Sequence, residues 1–429
     1  MYNNVIKEVI EILSILRNLF SGTKESDYQY RVALDIGTEF VKALIVRFNK
    51  EDVREIIGFG KVKQNYSNME GGAISDIEEV IKRSYEAIEE AKAMAEVEVE
   101  EIVIGIAGEF VKGVVNKVSK KRTISTKKLK RKEIDNLVHQ VQEEALNIAK
   151  EKLLADIGLE NIKVELVNSS VVEIKIDGYK VSNPEKFQGK NLEVTVFNTF
   201  APLVHVGALE TVATRLGYRL AGIIAEPFAI AKSIMSNEAY EFGAVVIDIG
   251  GGTTDIALVR NGGIEGTKMF SLAGRNFTKS LARNFNISLA QAEELKLKYS
   301  RGEIKKSRKQ IKAILQNDIQ LLTEGIEVAL SQLANSEALP QKIYLCGGGS
   351  GLLNLPEEIK ERELYEELPF FKTPELNLLT ASQITGIEDR VDLADSAENV
   401  TPKSLALQAA MVQSSAANNL LEKLVANFV

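Results

Sequence analysis

Asp35-Ile36-Gly37-Thr38 and Asp248-Ile249-Gly250-Gly251-Gly252-Thr253 are two versions of one short phrase in a chain of 429 residues. Each lies between strand-like runs. Arg31-Val32-Ala33-Leu34 precedes the first, and behind it Val41, Ala43 and Ile45 alternate with Phe40, Lys42 and Leu44 at the two-residue period of a strand. Ala244-Val245-Val246-Ile247 and Ile256-Ala257-Leu258-Val259 flank the second. Strand, glycine turn and strand form a phosphate clamp. Glycine lets backbone N–H groups close on oxygens, and an aspartate opening the turn can hold the magnesium that accompanies a nucleotide. One copy is also an ordinary hairpin, since Asp and Gly are hairpin residues. The matched pair carries the reading. No GxxxxGK[ST] string occurs, and both turns continue as strands where a GxGxxG fingerprint would open a helix. Phosphates held between two strand hairpins imply a cleft with pseudo-twofold related walls.

Hydrophobic residues make up 45% of the chain and charged residues 26%, which excludes a largely disordered protein. The length predicts two domains or more. A net charge of −7 gives no general attraction for nucleic acid. One cysteine, Cys346, and two histidines, His139 and His205, exclude a disulfide framework and a Cys/His zinc cluster. The chemistry therefore falls to carboxylates, lysines and backbone. The longest uncharged stretch, residues 404–421, carries Gln, Ser and Asn throughout, so no transmembrane helix is predicted and a cytosolic protein is the simplest reading.

Residues 1–27 read as an amphipathic helix and a polar linker: Tyr2, Val5, Ile6, Val9, Ile12, Leu13, Leu16, Leu19 and Phe20 share one face. Residues 28–108 form the first part of a first domain, with a helix over 76–95 and a buried strand over 101–108. Residues 109–201 read as a small inserted α+β unit of helix and strands. Its basic run, 117–132, predicts a solvated hairpin or a site for an acidic partner or lipid headgroups. The first domain resumes over 202–240, where Glu226-Pro227 opens a helix with proline at its first turn, and it takes back a helix at 399–414. Residues 241–398 form a second domain, mainly helical over 274–339. The tail, 415–429, places Leu420, Leu421, Leu424, Val425 and Phe428 on one face.

LDIGTEFVK, DIGGGTTD, the Glu-Pro helix and LCGGGSGL, in that order, resemble the phosphate-1, phosphate-2, connecting and adenosine segments of the actin, sugar-kinase and heat-shock-chaperone superfamily. Gly71-Gly72-Ala73-Ile74-Ser75-Asp76 before a helix, IVIGIAG after it and a unit inserted behind that strand resemble the FtsA family of bacterial cell division. The resemblance implies an α/β, actin-like, two-lobed ATPase fold with an inserted subdomain, binding ATP with Mg2+. It implies that Asp35 and Asp248 hold magnesium through waters, and that Gly37, Thr38, Gly250, Gly251, Gly252 and Thr253 bond the phosphates. Lys42 would reach a phosphate oxygen, or is a surface strand lysine. Glu293 and Lys296 match the segment that contacts ribose and base, but are also an ordinary helix pair. Gly347, Gly348 and Gly349 would lie against adenine and the α-phosphate, or form only a loop.

Glu226 matches the residue that orients the attacking water in MreB-type and chaperone relatives, where a carboxylate accepts the proton. It is equally a helix residue favoured by the dipole. Many FtsA proteins lack an acid there, so the expectation is ATP binding with slow or absent turnover. The partners implied are the C-terminal tail of the tubulin-like FtsZ, copies of the chain itself in protofilaments, and the inner face of the cell membrane at the division site. The tail resembles a membrane-targeting helix, although Glu422 offsets its one basic residue, Lys423. Two alternatives stand beside this: a PilM-type scaffold of type IV pilus assembly, and a small-molecule kinase of the sugar-kinase branch.

Overall fold

A computed structural model describes residues 28–157, 162–235, 237–260, 262–361 and 368–412. The amphipathic segments expected at 2–20 and 416–429 lie outside these residues. In chain order come strands β1 (Gln29–Ile36), β2 (Phe40–Phe48), β3 (Arg54–Lys63), β4 (Met69–Glu70) and β5 (Ala73–Ile74), helix α1 (Ile77–Ala95) and β6 (Glu101–Ile106). Then follow β7 (Lys112–Lys121), α2 (Arg131–Ile157), β8 (Val164–Ile176), β9 (Tyr179–Lys180) and β10 (Asn191–Pro202). Next are α3 (Leu203–Arg215), β11 (Arg219–Ala225), α4 (Glu226–Ser233), α5 (Asn237–Phe242), β12 (Ala244–Ile249), β13 (Thr254–Arg260) and β14 (Gly263–Phe270). The remainder is α6 (Gly274–Phe285), α7 (Leu289–Ser300), α8 (Arg308–Ala334), β15 (Lys342–Cys346), α9 (Leu355–Glu361), β16 (Glu375–Leu378), β17 (Glu388–Asp389) and α10 (Val400–Met411).

Two sheets repeat one plan. The orders β3-β2-β1-β6-β11 and β14-β13-β12-β15-β16 match strand for strand. In each, the first two pairings are antiparallel and the last two parallel. β17 adds a sixth strand beside β3. In the first sheet α1 packs on β2 and β3, while α10 packs on β1 and β2. Covered on both faces, the central strands are apolar almost throughout, and β6 and β12 are buried at every residue. That is why the polar–apolar alternation of β2 is weak: even Lys42 is only 7% exposed. α1 starts where Asp76 accepts from the Glu79 N–H at 3.2 Å, and it buries Val80, Ser84, Ala87, Ile88 and Ala91, a helical stripe.

A third, antiparallel sheet, β7-β10-β8-β9, lies in chain order between β6 and α3, backed by α2 around Val118, Val138, Val194 and Val196. The basic run at 117–132 is not the hairpin expected. Its first third ends β7, whose partner is the distant β10, and the rest is a loop leading into α2. Closely spaced lysines gave no signal for a pairing partner some seventy residues away in the chain.

α10 returns to the first sheet and is locked there by charge. Arg31 on β1, 1% exposed, ion-pairs Glu101 on β6 at 2.6 Å and donates to the carbonyls of Ala409, at 2.7 Å, and Val412. A cation at a helix C-terminus satisfies orphan carbonyls and the dipole together. Arg31→Met removes one partner of a buried pair and should lower the urea-unfolding free energy by about 3 kcal/mol. A change under about 1 kcal/mol would mean that packing alone holds the helix end.

Candidate functional site

The repeated plan sets the two turns face to face. Asp35 and Asp248 are the penultimate residues of β1 and β12 and are 7% and 6% exposed. Opposite them in register stand Lys42 on β2 and Asp255 on β13. One wall therefore presents Asp with Lys, the other Asp with Asp. Glu226 opens α4 directly after β11, and its carboxylate lies over β6, where a Cβ at Gly105 would come within 2.9 Å of Oε1. The turns nearly touch: a Cβ at Gly252 would sit 2.5 Å from the Thr38 hydroxyl. Only glycine fits there.

Between the walls is a cavity of about 400 Å³. Every residue expected at the site lines it except Asp248 and Gly347. Asp248 accepts from the Thr401 hydroxyl at 2.5 Å. Gly347, at φ +82°, has no room for a Cβ, which would run into that same aspartate and into the Ile249 carbonyl. The second turn is held by α6, whose Gly274 and Arg275 N–H groups donate to the Gly250 and Gly251 carbonyls at 3.1 and 2.7 Å. Glu293 and Lys296 are both an ion pair, at 2.8 Å, and part of the cavity wall. Lys296 also donates to Thr278 Oγ1 and the Gly274 carbonyl, each at 3.0 Å, and Thr278 donates to Glu293.

Several residues here escaped the sequence reading. Asp255 ends the quoted string DIGGGTTD, and its strand register with Asp248 was the available signal. Glu398, whose carbonyl accepts from Lys42 and whose carboxylate takes Lys61 at 2.9 Å, had no local signal, and neither had Thr401. They reach the cleft from the far end of the chain.

Burial dominates the electrostatics. Burial and the Asp248 charge push Asp35 up to about 6 against the pull of Lys42. Asp255 goes up to about 8 through burial and the Asp248 charge, although the Thr253 hydroxyl donates to it at 2.9 Å. Burial raises Asp248 as well, opposed by Thr401 and Lys42. Burial and the charges of Asp35, Asp255 and Asp248 hold Glu226 well above the carboxylate range. Burial also draws Lys42 below the lysine range, against the raising pull of Asp35 and Glu398. A hard divalent cation fits these oxygens. Asp255 Oδ1 is buried with no hydrogen-bond partner among the described residues. No three carboxylates among those residues converge as direct ligands, so waters and a ligand's own oxygens would complete the shell.

Comparison with known proteins finds two family models that match parts of the chain. The family model described as "Cell division protein FtsA" matches residues 245–421, and that of "MreB/Mbl protein" matches residues 174–311. The cell division protein FtsA of Neisseria meningitidis serogroup B is 26% identical over 275 residues, which is 64% of this chain and 62% of that protein. The match thus spans less than two thirds of that relative. FtsA of Pseudomonas aeruginosa is 26% identical over 357 residues, 76% of this chain and 80% of that protein. Among solved structures, the PilM-PilN type IV pilus biogenesis complex superposes with a TM-score of 0.63 at 18% identity, covering 89% of this chain and 98% of that one. This last likeness is one of fold.

The crowded carboxylates predict a pH dependence. Asp35 and Asp255 have folded-state values of about 6 and about 8, above the unfolded value near 3.9. Their contribution is full below pH 4 and is lost as pH rises through 6 and then 8. In chelator-treated protein without nucleotide, the melting temperature should fall between pH 5 and 8.5. Asp255→Asn should flatten the upper half of that fall, and a flat wild-type profile would contradict the crowding.

Proposed function

We propose, from its likeness to FtsA-type members of the actin-like ATPase superfamily, that this chain binds ATP with magnesium in the cleft and serves cell division as a membrane-bound filament that tethers the FtsZ ring. The observation that carries the nucleotide part is the pair of Asp–Gly turns on equivalent strands of duplicated sheets, facing one cavity. Backbone N–H groups of the two turns would take the phosphates and Lys42 would offset their charge, while Asp35, Asp248 and Asp255 would hold the metal through water. Magnesium, when bound, neutralises phosphate charge and so favours both binding and phosphoryl transfer. Glu226, kept proton-rich by burial and by the charges of Asp35, Asp255 and Asp248, is a poor base. Slow or absent turnover is the expected result.

Membrane attachment and assembly rest on the family and on the two amphipathic terminal segments, with the FtsZ tail as the partner. Among the described residues no helix is long and apolar enough to cross a membrane, and attachment through the amphipathic ends would be peripheral.

Two experiments test this reading. In calorimetry Asp248→Ala should abolish magnesium-ATP binding, whereas Glu226→Ala should leave affinity intact and slow any turnover; undiminished affinity in Asp248→Ala removes the site. In liposome pelleting with and without ATP, read alongside electron microscopy, the full chain should sediment and form filaments, and deleting residues 1–20 or 416–429 should reduce sedimentation. If neither deletion matters, the tether is wrong. Capture of a pilus-protein peptide in place of an FtsZ tail would favour the scaffold alternative.

A further inference from the structure

Arg275 is the second residue of α6, on the wall built from the second turn, and is 9% exposed. Its side chain crosses to the other wall. Nε ion-pairs Glu39 Oε1 at 2.5 Å, Nη2 donates to the Thr38 carbonyl at 2.6 Å, and Nη1 donates to the carbonyls of Tyr66 and Met69 at 2.9 and 3.0 Å. The guanidinium also lies 5.0 Å over the centre of the Tyr66 ring. All four acceptors belong to the first wall, and the main chain of Arg275 meanwhile holds Gly251 on the second. Tyr66 returns the link by donating its hydroxyl to the Leu289 carbonyl at 3.2 Å.

This set of partners suits arginine alone. A planar fork of five N–H groups serves a carboxylate and three carbonyls at once, where an ammonium has three donors on a point charge. Charge-assisted hydrogen bonds in a dry seam are the strong kind, and opening the cleft would break all of them together. Two of the partners are the Thr38 carbonyl of the first turn and the carboxylate of the next residue, Glu39, so Arg275 fixes where Thr38 stands relative to Gly251 and Gly252. It has no need to touch a phosphate.

We propose that Arg275 is a positioning residue that clamps the first phosphate turn to the second, and that releasing this clamp limits the departure of a nucleoside triphosphate from the cleft. The proposal rests on the nucleotide reading above, but the clamp itself exists without ligand.

The test uses the full chain and a fluorescent ATP analogue, mant-ATP, with magnesium. In stopped-flow displacement by excess ATP, Arg275→Ala and Arg275→Lys should release the analogue about ten-fold faster or more, and Glu39→Gln a few-fold faster. Hydrogen exchange of the ligand-free protein should show backbone amides of residues 64–70 losing protection in Arg275→Ala while distant strands keep theirs. Unchanged release rates in all three variants overturn the proposal. If wild type fails to bind the analogue, the nucleotide reading fails instead, and unchanged protection at 64–70 would then overturn the clamp as well. Should Arg275→Ala not fold, Arg275→Lys and Glu39→Gln decide by the same two measurements.

Discussion

Like charges held in one dry place are the constraint on which this molecule turns. Glu226 feels the charges of Asp35, Asp255 and Asp248, Asp35 and Asp255 each feel Asp248, and Lys42 is the basic side chain set among them. No apolar core would gather such a set unaided. The repeated sheets do so, because a strand covered on both faces is rigid and buried, and whatever stands at its end is positioned without regard to its own preference. The stability of the strands sustains an arrangement that costs free energy where the chemistry sits.

How much of this was legible before the structure depends on how local each signal is. The two turns were read from neighbours in sequence, since glycine, aspartate and flanking β-branched residues state their geometry within ten positions. The helix at Ile77–Ala95 was legible for the same reason: its cap and stripe are written in consecutive residues. Gly347 was placed with the site but not understood. Its role behind Asp248 is a matter of contact between strands that pair across most of a domain.

The residues that escaped share a different property. Asp255, Thr401, Glu398 and Arg275 act through partners set by register or by chain return, and a single sequence does not display register between distant segments. The basic run at 117–132 shows the same limit from the other side, for its composition was plain and its pairing strand was not. Periodicity found the elements; chemistry found the turns; only the assembled sheets show which side chains meet.

The last helix joins two regions that the chain otherwise keeps apart. At its first turn Thr401 donates to Asp248, and the residue just before the helix cap, Glu398, meets Lys42. At its other end Arg31 grips the carbonyls of Ala409 and Val412, where the chain leaves the described fold for its tail. The twelve residues between form a rod of about 18 Å. A helix is stiff along its axis, so Asp248 and the last described residues stand at a fixed separation, one at each end. The cleft and the last described residues are the two ends of one strut.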